Sequence, residues 1–419
     1  MITLDKTTVE QAFIDRLKSG SHQRTESPLK EHALRALENL SFPDRRNEEW
    51  KYTRVTRILN ASFPAQKTES VQVPTAAGPW QLTFLNGRFL SDSSILPDPS
   101  VIEVSIGEGS NQSVADFRSD EEYSGGEIFK ALNHAYHQES LFIRIRKNVA
   151  AGNVLHVVHY TAGSAISQPL IAVLAEESSE ARLTIELRSL DDSETLTNAA
   201  LHVRLMANSR VSVDKLLVHS SSSYAIFSET AQQHADSTFN IGTACLGGSI
   251  TRNTLKVFSK GRNTQTGMYG MSFGAEGQHI DNATAMHHQQ PDCSSYEMYK
   301  SVMAGKSTGV FNGKVVVYQD AQKTDAYQSS TNLLLSADAT VNSKPELEIY
   351  ADDVKCSHGS TTGQLDPNQL FYLKARGIGE EAGKRLLLEA FCGEVLDHFA
   401  CEEIREEVMN RVREKVAQL

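Results

Sequence analysis

The sequence predicts a mostly β protein with helical ends. Three observations carry this: apolar and polar residues alternate with period two from Leu141 to about Thr362, helical spacing appears before and after that stretch, and no convincing long helix interrupts it. A chain of 419 residues is long for one domain. Three units are expected: a mainly helical N-terminal unit over 1–140, a β core over 141–363 and a helical C-terminal unit over 364–419.

In the first unit, "MITLDKTTVEQAFIDRLKSGS" reads as a capped amphipathic helix, with acidic residues among its apolar positions and no uninterrupted apolar core of a signal peptide. "PLKEHALRALENL" sets Leu29, Ala33, Leu34, Ala36, Leu37 and Leu40 at helical spacing. "WQLTFLNGRFL" reads as strand, and "GGEIFKALNHAYHQES" as another helix.

In the β core, "LFIRIRKNV", "NVLHVVHY", "ARLTIELRSL", "LHVRLMANSRVSVDKLLVH" and "GKVVVYQD" alternate faces. So many consecutive short strands need a sandwich, a barrel or a solenoid to manage their edges. Two echoes, "GMSFG" (Gly270 to Gly274) and "GVFNG" (Gly309 to Gly313), favour a solenoid, although a sandwich shows the same alternation. In the last unit, "GIGEEAGKRLLLEAFCGEVLDHF" puts Glu380 and Glu381 in a first turn, where the helix dipole favours anions. "EEIREEVMNRVREKVAQL" spaces Ile404, Val408, Val412 and Val416 four apart, a one-sided helix that needs a partner surface in this chain or another.

Composition narrows the function classes. Net charge is −11, from 41 basic and 52 acidic residues, and no basic stripe with interleaved aromatics is present, which argues against nucleic acid as a partner. The longest apolar stretch, "PLIAVLA", is far short of the roughly 20 residues of a membrane helix, so a soluble cytoplasmic protein is expected. Five widely spaced cysteines without a C-x-x-C pair fit free thiols in a reducing compartment.

Most motifs read better as structure than as chemistry. "MAGKSTG" ends like a phosphate-binding loop, but Lys300 stands where the first glycine belongs and a strand follows. "GEGSNQ" (Gly107 to Gln112) and "GIGEEAG" (Gly377 to Gly383) lack the third glycine of a dinucleotide fingerprint and are taken as turns. In "AMHHQQPDC", adjacent His287 and His288 face opposite ways on a strand, so at most one can join Cys293. There is no G-x-S-x-G elbow, and the acids of "RSLDDSE" and "YADDVK" have no distinctive spacing.

"DDVKCSHGSTTG" stands out. On a strand Cys356 and His358 point the same way and can share a ligand, while Lys355 and Ser357 point the other way. A thiolate and an imidazole suit iron, zinc or sulfur chemistry. Two ligands do not close a metal site, so the others must come from elsewhere in the chain or from another chain.

The segment "PELEIYADDVKCSHGSTTGQLDPNQLFYLKARGI" (Pro345 to Ile378) closely resembles the C-terminal signature of the SufB/SufD family of iron–sulfur cluster assembly scaffold proteins, and "PDRRNEEWKYT" (Pro43 to Thr53) resembles its N-terminal Arg-x-x-Glu-x-Trp-Lys-Tyr element. "DDVKCSHG" and the Trp-Lys-Tyr element point to the SufD branch. The resemblance implies a right-handed parallel β-helix core flanked by N-terminal and C-terminal helical domains. It further implies a non-catalytic scaffold subunit that pairs with a SufB-like paralogue through the end of the β-helix and binds a SufC-like ATPase through its C-terminal helices.

On that resemblance His358, with Cys356 beside it, contributes to a transient cluster site shared with SufB, and His358 is the metal-ligating candidate. Tyr372, Leu373, Arg376 and Gly377 are the ATPase-docking candidates. Sulfur is supplied by a desulfurase and electrons by a reduced flavin or another reductant, and a homodimer is an open alternative for the isolated chain. The rival reading is a β-helix carbohydrate-active enzyme, which requires a groove lined with acids and aromatics.

Overall fold

The computed structural model describes residues 6–20, 27–63, 71–76, 78–107, 113, 116, 127–163 and 165–418. The turn expected over Gly107 to Gln112 falls, but for Gly107, outside them.

The chain is mostly β and winds as a parallel solenoid of about 8 turns. Successive strands alternate between two sheets, so each pairs with the strand one coil later. One sheet runs from Gln81–Leu85 through Leu155–Thr161 and Glu180–Ser189 to Lys355–Gly363; the other runs from Ile102–Ile106 and Ser140–Ile145 to Thr340–Ile349. The register fixes the coil: Glu180 lies beside Arg210, Arg210 beside Thr238, and Thr238 beside Gln265. Coil length ranges from 26 residues, with Tyr224 beside Ile250, to 32, with Thr308 beside Thr340. The solenoid is therefore the correct choice over the sandwich, but "GMSFG" and "GVFNG" are not its repeat. They sit in Gln265–Gly274 and Thr308–Val317, strands of different sheets.

The repeat lies at a corner. Asn148, Ser178, Asn208, Asp236, Asn263, Asp292 and Lys323 all take φ between 55° and 61°, the left-handed region that short polar side chains tolerate best. From Ser178 on, the next residue is small and buried: Ser179, Ser209, Ser237, Thr264, Cys293 and Thr324. The hydroxyls of Ser179, Ser209, Ser237 and Thr324 each donate to the carbonyl three residues back, at 2.6 to 2.8 Å. Each bond closes its turn without taking a group from the sheet. Alternate strand residues such as Leu183, Ile185, Val213, Phe239, Ile241 and Leu255 fill the lumen, each contributing about 1.5–3 kcal/mol by its burial.

Helices cover both outer faces. Over the second sheet lie α1 (Lys6–Gly20), α2 (Pro28–Leu37), α3 (Thr56–Asn60) and α4 (Ile128–Tyr136), where Phe13, Ala33, Ile58 and Phe129 join one core with Leu196, Ile226 and Ile250. After the last coil come α5 (Pro367–Ala375), α6 (Glu380–Leu396) and α7 (Glu402–Ala417). Ile404, Val408 and Val412 of α7 share a core with Leu216, Met271 and Phe273 of the first sheet, so that helix finds its surface within this chain. The contact is fastened by polar groups. Arg188 bridges Glu186 and Glu407, and Asp214 accepts from the Cys401 N–H at 2.6 Å, capping α7 from the sheet.

The Trp-Lys-Tyr element has a fastening role too. Trp50 lies over the Arg252 guanidinium, 4.0 Å from the ring, and stacks on Phe129 at 5.5 Å. Arg252 pairs with Asp281, both about 1% exposed, and the Thr53 hydroxyl donates to Asp281 and meets His279 Nε2 at 2.7 Å. Removing one partner of a buried pair strands the other charge, so Asp281→Ala is expected to destabilise the protein by about 3–5 kcal/mol in urea titrations. A loss under about 1 kcal/mol would show that Arg252 reaches water and that the strap is not a buried pair.

The two ends of the solenoid differ. At its start, antiparallel Arg88–Phe89 finishes the first sheet and antiparallel Ile102–Ile106 finishes the second. These strands precede Leu141, so the first 140 residues supply solenoid strands as well as helices. At the far end, Thr340–Ile349 and Lys355–Gly363 each pair on one side only; Pro345 interrupts the free edge of the first, and the second leaves a long parallel edge of the kind that accepts another strand. Among the described residues no helix is long and apolar enough to cross a membrane.

Candidate functional site

The open end carries the cysteine and histidine singled out above. Lys355 N–H donates to Thr324 C=O at 2.8 Å. Backbone groups alternate sides along a parallel strand, so Lys355, Ser357, Gly359 and Thr361 bond inward to the preceding strand. Cys356, His358, Ser360 and Thr362 therefore turn their N–H and C=O to the free edge. The same four residues point their side chains toward the lumen, since they lie beside Ala326, Gln328, Ser330 and Asn332, all at most 1% exposed. Cys356 and His358 thus share a face, as the alternation predicts, at the mouth of the lumen.

The rim is held by small polar groups that period-two reading does not single out. Ser343, on the last strand of the second sheet, lies 3.1 Å from the Ser330 hydroxyl and 2.8 Å from that of Ser360, tying the two sheets together. Asn332 Nδ2 donates to Thr361 C=O at 3.1 Å. Cys356 is half-buried, and that burial pushes its thiol up; the Ala326 N–H opposes the shift and Asp325 adds to it. The isolated chain thus holds a neutral thiol there, and a cation must displace its proton on binding. The imidazole of His358 is exposed. Among the described residues no group of three or more His, Cys, Asp or Glu side chains is placed to hold a metal ion. A metal centre at this mouth has to be completed from outside the chain.

The other candidates are scattered. His288 is buried and meets Ser295 Oγ at 2.9 Å, His287 stacks on Phe258 on the opposite face, and Cys293 Sγ lies by the Pro291 and Gly261 carbonyls. These three do not converge. Gly305, Lys306 and Ser307 form a coil corner followed by the strand Thr308–Val317, which excludes a phosphate loop.

Tyr372, Leu373, Arg376 and Gly377 gather at the end of α5, a helix with no buried residue. Phe371 and Tyr372 are 72% and 57% exposed, and Arg376 lies 5.0 Å from the Tyr372 ring. Leu373 turns partly inward against Gly383 of α6. Gly377, at φ +84°, terminates α5, where the Ile378 N–H donates to Leu373 C=O at 3.1 Å.

A groove of about 410 Å³ runs between the Asn47–Glu49 turn and the second sheet. Three of its four carboxylates are paired, Glu348 with Lys314 at 2.9 Å and both Glu48 and Glu346 with Lys344, which leaves Glu49 as the one further acid in the lining. That arrangement does not supply the acid and base of a carbohydrate-active enzyme.

Comparison with known proteins finds relatives over most of the chain. The family described as "SUF system FeS cluster assembly, SufBD core domain" matches residues 158–391. The iron–sulfur cluster assembly protein SufD of Escherichia coli strain K12 is 28% identical over 402 residues, covering 93% of each chain. A SufBD-family assembly protein of Synechocystis is 28% identical, covering 93% of this chain and 90% of its own; the chloroplastic protein ABCI7 of Arabidopsis thaliana is 27% identical, covering 92% and 85%.

Proposed function

The chain belongs to the SufBD family of iron–sulfur cluster assembly proteins, and we propose that it acts there as a non-catalytic scaffold subunit. The free edge supports one placement above others. The strand carrying Cys356 and His358 offers unpaired backbone groups and two ligand-type side chains on one face, and no third ligand lies nearby among the described residues. A SufB-like paralogue pairs at that end and completes the site, with His358 as the ligand or proton acceptor this chain provides and Cys356 as its neighbour. The nascent cluster is cargo, built between the two chains with sulfur and electrons delivered from outside, a reduced flavin being one electron source.

The uncovered end of α5, with Tyr372, Arg376 and Gly377, is the docking place for a SufC-like ATPase, since an exposed aromatic and an arginine are favoured interface residues. Leu373 supports it from below. The free cysteines suit a reducing compartment such as the cytoplasm.

The test is iron and acid-labile sulfide per complex after anaerobic co-expression with SufB-like and SufC-like partners, comparing the native chain with His358→Ala. The variant is expected to assemble the same complex and to lose most of its iron and sulfide. Equal cluster content in both would place the site wholly in the partner.

A further inference from the structure

On the strand next to the mouth, Asp325–Leu334, the residues facing the lumen are Ala326, Gln328, Ser330 and Asn332, none more than 1% exposed, and they lie beside Cys356, His358, Ser360 and Thr362. Two polar members of this row hold the last strand. Asn332 Nδ2 reaches Thr361 C=O at 3.1 Å and the Thr362 hydroxyl at 3.4 Å, and Ser330 reaches Ser360 through Ser343. Gln328 reaches the other way. Its Nε2 donates to Glu297 Oε2 at 2.7 Å; Glu297, one coil back, lies beside it at the same register position and accepts from Thr284 Oγ1 at 2.5 Å.

That arrangement leaves one acceptor over. Gln328 Oε1 is buried and has no hydrogen-bond partner in the protein, which costs about 1–3 kcal/mol if nothing meets it. The carboxamide is closely held, since a Cβ on Gly313 would lie 2.4 Å from its nitrogen and 2.8 Å from its carbon, so only a glycine there leaves it room. With the nitrogen engaged toward Glu297, the oxygen is left for the opposite side. The neighbour on that side is His358, one strand spacing of about 4.8 Å away. Its imidazole is exposed, so turning it inward displaces water and no protein group.

We infer that Gln328 is a positioning residue for His358: its Oε1 accepts the imidazole Nδ1–H, so that Nε2 faces out of the mouth with its lone pair free. Nδ1 is the ring nitrogen nearer the backbone and hence nearer the neighbouring strand. A histidine that ligates a metal commonly donates its other ring N–H in this way, which fixes the tautomer and aims the ring. A neutral carboxamide suits the task, because it accepts the hydrogen bond without taking the proton. Thr284 and Glu297 stand behind it and keep its nitrogen turned away from the mouth. The use of Nε2 as a ligand rests on the proposed cluster role; the contact between Gln328 and His358 does not.

Nitrogen-15 NMR of the isolated, histidine-labelled chain, at a pH where the imidazole is neutral, tests the contact; the His358 signals are those absent from His358→Ala. The native ring should be in the Nδ1–H form. Gln328→Met, which keeps the bulk and removes the acceptor, should return it to the Nε2–H form that a solvated imidazole prefers. The exchanged pair, Glu297→Gln with Gln328→Glu, keeps an oxygen opposite His358 and should restore the Nδ1–H form, a rescue that a merely structural role would not give. An Nε2–H ring in the native chain overturns the inference, as does an Nδ1–H ring in folded Gln328→Met. Should Gln328→Met fail to fold, the tautomer of the native chain decides alone. In the co-expressed complex, Gln328→Met is expected to hold iron about 10- to 100-fold more weakly than the native chain. Equal retention, where His358→Ala loses its iron, overturns the positioning role. Native cluster content in His358→Ala would remove the cluster role and leave the tautomer prediction standing.

Discussion

Ser360→Pro is expected to leave the chain folded and to abolish its pairing with a SufB-like partner. The backbone N–H of Ser360 points to the free edge of the last strand, so proline removes no bond to the strand beneath it. Gly359, which precedes it, already lies in a strand, the conformation that a following proline favours. A partner strand at this edge would lose a donor and meet the ring instead. We expect at least about a 100-fold weaker complex, close to 3 kcal/mol, while the chain itself loses only the Ser360 hydroxyl contact to Ser343, about 1 kcal/mol of stability. Thr361→Pro is the contrast, since that N–H bonds inward, and it should destabilise the chain itself. Titration of the partner against Ser360→Pro decides the matter: undiminished affinity would mean that the edge is not the interface.

The second large effect is acid sensitivity. His134, His137, His159, His202, His219 and His288 are buried, each no more than 5% exposed. Burial pushes His137, His219 and His288 down to about 4 and His159 to about 3; His134 and His202, whose Nε2 atoms lie 2.8 Å apart, are also held well below the usual range. A histidine that is neutral when folded takes up its proton only on unfolding. Its contribution is intact above the unfolded value near 6.5 and is lost as pH falls toward 4, by about 2 kcal/mol per group at pH 5.

Three acids oppose this. Burial raises Asp214 to about 6 and Glu297 to about 7, and it pushes Glu229 up as well, so each gains stability on acidification. Asp214 and Glu297 together return only about 3–4 kcal/mol between pH 7 and 5, less than the histidines take. The net loss is comparable to the whole stability of many domains. Urea midpoints should therefore fall steeply from pH 6.5 to 5, with unfolding or partial opening before pH 4.5. A flat profile over that window would mean that the histidines are hydrated.

The strands and terminal helices were legible in the sequence because period two and helical spacing survive wherever one face is buried. The coil itself was not, because its corner tolerates Asn, Asp, Ser or Lys provided the next residue is small, as in Asn208-Ser209, Asp236-Ser237, Asp292-Cys293 and Lys323-Thr324. A pattern conserved in size and conformation rather than in identity leaves little to read. The charged part of the lumen was not legible for a related reason. In "VSVDKLLV" alternation separates Asp214 from Lys215 without saying which faces in: Lys215 points inward to Glu229 while Asp214 caps a helix on the outer face. The shared face of Cys356 and His358 follows from alternation alone. Their position at an open mouth follows from where the stacking stops.

The unequal ends set a limit on stoichiometry. The rod offers unlike edges at its two ends: antiparallel strands of two and five residues at the start, parallel strands of ten and nine at the finish. A contact made finish to finish uses the finish of both rods and leaves only their starts exposed. Extension beyond two cannot proceed by the same contact. A solenoid, a shape open by nature to indefinite stacking, counts to two and stops when it is joined in that way.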